Sequence, residues 1–164
     1  MIGAARTGVT AYSTPSDRQI MIVRVVDAPR HLVWDAWTDP KHIPNWLAGE
    51  GMTMSACEVD LRPGGKWRFV YGRDSKIAMT LSGTYREVSP PERLVSSESW
   101  GPEWPETVNT MVLTELAGQT TITITVTYPS MEARDAALQT GMKSGMDQGF
   151  AKLDALLGTL VLRR

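Results

Sequence analysis

The chain has 164 residues, of which 42% are hydrophobic and 21% charged, with a formal net charge of −1 at pH 7. That size fits a single domain with a real core, and the balance of residues excludes wholesale disorder. Near-neutral charge without a basic cluster argues against nucleic acid or an anionic membrane surface as partner, and no apolar run approaches the roughly 18 residues of a membrane span.

Residues 1–17 are small, polar and without period, and read as a loose tail or an arm that orders only on a neighbour. The single domain then occupies 18–164. Gln19 to Val26 reads as a strand. Asp27-Ala28-Pro29 follows, with Asp27 as a cap and Pro29 at an early helical position. The helix it opens, Arg30 to Thr38, turns Val33, Ala36 and Trp37 inward and leaves Trp34 on its flank. Asp39-Pro40 breaks it, and a short second helix reaches Trp46 before Gly49 and Gly51.

From Met54 the period changes to two. Met54 to Leu61 is a strand, Pro63-Gly64-Gly65 a turn, and Lys66 to Tyr71 the next strand, with Trp67, Phe69 and Tyr71 on one face. Ile77 to Val88 is a long strand with a bulge or bend expected at Gly83. Arg93 to Trp100, Thr107 to Glu115 and Thr120 to Tyr128 complete the series. In the last, Ile122, Ile124, Val126 and Tyr128 alternate with threonines, as in a strand with one wet face.

Ser130 can cap a final helix running to Leu157. Leu138, Met142, Met146, Phe150, Leu153 and Leu157 form an apolar stripe at spacings of three and four. Beside them Gly141, Gly145 and Gly149 recur every four residues, and each interior glycine costs a helix roughly 1 kcal/mol against alanine. Two readings stay open: close packing against a sheet or another chain, or room for a bound molecule lined by the soft side chains of Met142 and Met146. The element order predicts an α+β domain. A curved antiparallel sheet of about seven strands wraps around the long C-terminal helix, with two short helices after the first strand.

Particular stretches carry a family resemblance. Val25-Val26-Asp27-Ala28-Pro29 with Val33-Trp34-Asp35-Ala36-Trp37-Thr38-Asp39-Pro40 resembles the opening of the START-like, Bet v 1-like helix-grip superfamily. Glu58 to Phe69, with its Arg62-Pro63-Gly64-Gly65-Lys66-Trp67 core, narrows it. So do Gly83-Thr84-Tyr85-Arg86-Glu87-Val88, Pro90-Pro91-Glu92-Arg93-Leu94-Val95, Glu132-Ala133-Arg134-Asp135-Ala136 and Thr140-Gly141-Met142. Together they are similar to the subfamily named after the C-terminal domain of the activator of the heat-shock protein 90 ATPase, over residues 19–157. The resemblance implies a ligand cavity between sheet and helix, but no single chemistry. Two positions depart from the subfamily pattern. Leu47-Ala48-Gly49 stand where a tryptophan, glycine and proline are usual, and Ser96 stands where an aromatic is. Both trim bulk near the implied cavity and tilt the glycine stripe towards a pocket.

The inventory for chemistry is thin. The histidines are two, His31 and His42, and the cysteine is one, Cys57, so no soft metal site can be assembled at the usual spacing. No cofactor is expected: there is no phosphate-cradling glycine motif and no nucleophile elbow. One cysteine allows no internal disulfide, and the N-terminus lacks a signal-peptide order, so a cytoplasmic protein is expected. What remains are polar residues on strands that should face the helix. Ser96, Glu98 and Trp100 share one face; Thr107, Asn109 and Met111 share another; Thr80 and Ser82 share a third, with inside or outside left open by Gly83. Trp46, Leu47 and Met52 belong near the mouth, with Met142, Met146 and Phe150 on the helix. A carboxylate in an apolar pocket has a raised pKa and can act as a general acid or base.

Three functions follow as expectations. The first is a non-catalytic module holding a small hydrophobic or amphipathic molecule. The second is a cyclase- or hydrolase-like enzyme using Glu98, with Asn109 or Tyr85. The third is a protein-interaction module, with a chaperone as partner on the family name alone. A homodimer stays open.

Overall fold

The computed structural model describes residues 6–49 and 51–163. It holds one antiparallel sheet of eight strands in the order β1-β2-β8-β7-β6-β5-β4-β3, so every neighbour except β2–β8 is also a neighbour in sequence. The strands are β1 (Thr10–Ser13), β2 (Gln19–Val26), β3 (Thr53–Val59), β4 (Lys66–Arg73), β5 (Lys76–Ser89), β6 (Arg93–Glu98), β7 (Thr107–Leu116) and β8 (Gln119–Thr127). Four helices accompany them: α1 (Arg30–Thr38), α2 (Ile43–Trp46), α3 (Met131–Leu138) and α4 (Met142–Leu162).

The additional strand lies in the stretch expected to be loose. Thr10 to Ser13 pairs with Arg24 to Met21, and Tyr12 reaches from this edge to α4, donating its phenol to Asp147 Oδ1 at 2.8 Å. The arm orders on its own domain; positions 1–5 of the expected tail lie outside the described residues.

Alternation decides the faces of the sheet. On β2, β7 and β8 the inward set is Ile20, Ile22, Arg24, Val26, then Met111 and Leu113, then Thr120, Ile122 and Ile124, all buried. The threonines at 121, 123, 125 and 127 line the other side, as the wet-face reading expects. Burial of these aliphatic side chains, each stabilising by about 1.5–3 kcal/mol, holds the sheet to the helices.

The helix across the concave face is broken, not continuous. Ser130 caps α3 as expected, accepting from the Ala133 N–H at 3.1 Å. The chain then leaves helical geometry between Leu138 and Met142. There the Thr140 hydroxyl donates to the Ala137 carbonyl at 2.6 Å and accepts from the Met142 N–H at 3.3 Å. A threonine hydroxyl bonding nearby backbone competes with the helical ladder. Gly141 is the N-cap of α4, which begins at Met142. From there α4 runs to Leu162 and buries Phe150, Leu153 and Leu157.

The break dissolves the glycine stripe. A Cβ built on Gly141 or Gly145 meets nothing within 4 Å, and both positions are exposed, so neither permits close packing. Only Gly149 touches a neighbour, the Trp46 carbonyl oxygen 3.6 Å from its Cβ position, an ordinary contact.

Two details of the first helix also differ from expectation. Trp34 is buried and Trp37 half-buried, because Trp37 packs sideways onto Trp46 with ring centroids 4.5 Å apart. Asp27 is not the cap of α1. It accepts from Gln119 Nε2, and the first-turn N–H of Arg30 is satisfied from β7 by Glu115 Oε1 at 2.7 Å.

Arg24 is the charged residue on the inward face of β2. Its side chain is 6% exposed, pairs with Asp154 of α4, donates to Thr10 and lies over the Phe150 ring. A guanidinium so placed ties β1, β2 and α4 together.

Candidate functional site

The inward face changes character along the strands. One cross-strand row, Leu94–Met111–Ile124–Ile22, is apolar throughout. The next, Tyr85–Ser96–Asn109–Val126, carries two polar side chains at its centre. Beyond it Glu98 stands opposite Thr107, and Tyr128 follows the end of β8 on the same face. Residues directly opposite each other in an antiparallel pair share a face, so this register alone brings the polar groups together.

Glu98 is the centre of that end. Its Oε1 accepts from the Trp100 indole N–H at 2.6 Å and its Oε2 from Asn109 Nδ2 at 2.8 Å. Burial pushes its pKa above the usual 4.5, against the two hydrogen bonds, which favour the charged form. Burial and then the Glu98 charge raise the Tyr128 phenol to about 12, and the same two causes raise Tyr71 on β4 further. Both phenols therefore stay neutral near pH 7 and can donate hydrogen bonds.

Two buried polar atoms beside the carboxylate have no partner among the described residues: Thr107 Oγ1 and Asn109 Oδ1. Thr107 is 5% exposed. The orientation of the Asn109 amide is fixed by Glu98, since turning it over would set oxygen against oxygen. Unsatisfied buried polar groups are uncommon in native proteins and mark places where something else completes the bonding.

Of the residues expected at the site, Ser96, Glu98, Asn109 and Met111 come together on the inward face. Met142 and Met146 are half-buried and packed against the core cluster, as are Leu47 and Met52. Trp100 is 44% exposed, at the open edge beside Glu98.

Four expected residues do other work. Trp46 is a core residue: it is 3% exposed and donates its indole N–H to the Ala36 carbonyl at 2.8 Å. Phe150 is likewise core, 1% exposed and close to Trp37. Thr80 and Ser82 point away from the helix. They stand opposite Val70 and Arg68, whereas the inward side chains of that region are Trp67, Phe69, Leu81 and Tyr85. Ser82 instead lines an outer groove of about 360 Å³ with Lys66, Arg68 and Thr84.

The uninterrupted pairing of residues 79–84 with β4 sets the phase of β5 and puts Gly83 opposite Trp67, while the bulge expected at Gly83 lies between Tyr85 and Glu87. A Cβ on Gly83 would sit 1.9 Å from the Ser97 carbonyl oxygen, because Ser82 and Ser99 bridge the strands before the regular ladder resumes at Tyr85 and Ser96. Ser97 turns its hydroxyl to accept from the Thr84 N–H at 3.0 Å. Thr107 lies on the face that spacing gave it with Asn109 and Met111, whereas Tyr71 and Tyr128 were not singled out by spacing as site residues. Only the cross-strand register brings them to Glu98.

Among the described residues no three His, Cys, Asp or Glu side chains are grouped to hold a metal ion, and no helix is long and apolar enough to cross a membrane.

An eight-stranded antiparallel sheet curved around a C-terminal helix, with two short helices after its opening strands, defines a helix-grip protein of the START-like, Bet v 1-like class. A family model described as Activator of Hsp90 ATPase homolog 1-like protein matches residues 27–158, and the chain belongs to that family. Solved structures agree on the fold. A Rhodobacter sphaeroides protein is 29% identical, with a TM-score of 0.86 over 93% of this chain and 99% of its own. A Nitrosomonas europaea protein is 24% identical, with a TM-score of 0.80 over 91% of this chain and 99% of its own. A Mycobacterium smegmatis protein, 23% identical, gives a TM-score of 0.80 over 91% and 97%. No curated protein matches the sequence.

Proposed function

We propose that the chain binds a small hydrophobic or amphipathic molecule between the concave face of the sheet and α4, without changing it chemically. The observation that carries the reading is two buried acceptors unpartnered among the described residues, Thr107 Oγ1 and Asn109 Oδ1, beside the Glu98 carboxylate and next to the apolar row Leu94–Met111–Ile124–Ile22. An apolar wall with a few convergent polar groups is the usual make-up of a small-molecule site. Met111 on β7 and Met142 and Met146 on α4 supply adaptable wall, and the trimmed Ser96 and Leu47 leave bulk out beside it.

A second reading makes the same carboxyl a general acid or base, and its raised pKa speaks for it. Both Glu98 oxygens already accept hydrogen bonds from neighbouring strands and side chains, which favours an anchoring role. The interaction-module reading has less support. The large exposed apolar residues outside the 99–106 loop, such as Ile77, Leu116 and Leu162, sit at the ends of separate elements.

The test is a titration with Nile red, a neutral apolar fluorophore, followed by native mass spectrometry of the protein as purified. Saturable binding that Met146→Trp, at a half-buried position of α4, weakens while the melting temperature holds supports the reading. Absence of saturable binding, with no co-purified small molecule, refutes it.

A further inference from the structure

The polar end of the concave face has an unusual donor balance. Its groups are the Glu98 carboxylate, Asn109 Oδ1 and Thr107 Oγ1, and among the described residues the only donors spent on them are Asn109 Nδ2 and the Trp100 indole N–H. No Lys, Arg or His forms an ion pair with Glu98 among the described residues. The titratable groups that face it are the phenols of Tyr71 and Tyr128, which carry no positive charge in any protonation state. A half-buried carboxylate without a cation, next to two vacant acceptors, is a site short of N–H donors and of positive charge.

We propose, resting on the binding function above, that the ligand is an amphipathic primary amine whose ammonium group is held by Glu98, Asn109 and Thr107. An ammonium carries three donors and no acceptor, so it can supply the carboxylate, the amide oxygen and the hydroxyl oxygen at once. An alcohol has one donor and leaves the carboxylate charge unbalanced. A carboxylic acid brings a second anion beside the first, and like charges at short range repel. The apolar body of the amine then lies along the row Leu94–Met111–Ile124, the direction in which the polar side chains end. The Trp100 indole, half-exposed at the edge, remains hydrogen-bonded to the other carboxylate oxygen and keeps it aimed.

The claim separates cleanly from the broader one by matched ligands. n-Octylamine, 1-octanol and octanoate share one apolar tail and differ at the head. Their displacement of Nile red is measured at pH 7 on the full chain and on Glu98→Gln and Thr107→Val, both close in shape to the parent. Octylamine should bind at least tenfold more tightly than the other two, since a charge-assisted hydrogen bond to a desolvated carboxylate is worth roughly that factor or more. Glu98→Gln should abolish the preference while Nile red binding survives, and Thr107→Val should weaken the amine by a smaller factor, roughly threefold to tenfold. Equal binding of amine and alcohol, or a preference that survives Glu98→Gln, overturns the amine assignment and leaves the apolar site standing. Failure of all three ligands and of Nile red overturns both.

Discussion

Gly83 is the position where one methyl group should cost the fold most. Its Cβ would lie 1.9 Å from the Ser97 oxygen, 2.8 Å from the Ser97 carbonyl carbon and 2.7 Å from Trp67 Nε1. The first two atoms are backbone, so β6 has to retreat by roughly 1 Å before the contact reaches the 3.0 Å below which Cβ atoms essentially never sit. That movement pulls on the two Ser82–Ser99 backbone bonds, at 3.1 and 2.7 Å, and on the Thr84 N–H to Ser97 Oγ bond at 3.0 Å. Overpacking costs about 1–3 kcal/mol and each lost hydrogen bond about 1 kcal/mol, so Gly83→Ala should lose about 3–5 kcal/mol. Gly145→Ala is the matched control. Its added methyl meets nothing within 4 Å inside α4, so helix propensity alone acts and stability should rise by about 0.5–1 kcal/mol. Thermal and urea melts of the two variants read the contrast. For a chain of this size each kcal/mol moves the melting temperature by about 2–4 °C, giving a fall of roughly 10 °C for Gly83→Ala and a rise of about 2 °C for Gly145→Ala. A Gly83→Ala variant melting with the parent would refute the strand geometry argued above.

Two further outcomes are expected. Ser130→Ala removes the cap that accepts the Ala133 N–H and should lower stability by about 1 kcal/mol in urea unfolding, with no change in Nile red binding. The pH dependence of stability should carry the mark of Glu98. Its folded pKa is raised above the unfolded 4.5, so the folded state favours the protonated form. It follows that Glu98 begins to cost stability as pH rises past 4.5, and the cost is complete once pH passes the folded value. Measured from pH 4 upwards, the stability of Glu98→Gln relative to the parent should therefore shift in favour of the variant; a constant difference would contradict the burial of the carboxyl.

Much of the fold was legible because two periods dominate the chain. Alternation located β2 through β8 within a few residues, and the change to a spacing of three and four located α4. What escaped was decided by contacts between distant residues. Thr10 to Ser13 has no strong strand pattern, and becomes a strand because the edge of β2 is vacant and Tyr12 can reach Asp147. The apolar stripe runs through Leu138 and Met142 without pause, so periodicity could not see that the Thr140 hydroxyl breaks the ladder between them. For Thr80 and Ser82 the in-or-out choice hung on whether Gly83 carries a bulge; the pairing runs through Gly83 without a slip and shifts against β6 only between Tyr85 and Glu87, which spacing alone cannot locate. Glu98 and Asn109 were visible from spacing because they lie on adjacent strands joined by one loop. Tyr71 and Tyr128 come from strands far apart in sequence, and only register shows that they feel its charge.

The central claim is that a ligand sits on the concave face between β7 and α4, and the methionines make it directly measurable. With methyl-13C methionine, Met111 is buried on the sheet, Met142 and Met146 are half-buried on the helix, and Met131 is exposed at the start of α3. Titration with n-octylamine or Nile red should shift the methyl signals of Met111, Met142 and Met146 together, at one common affinity, while Met131 stays in place. Saturable binding that moves Met131 and leaves the other three untouched would contradict the account.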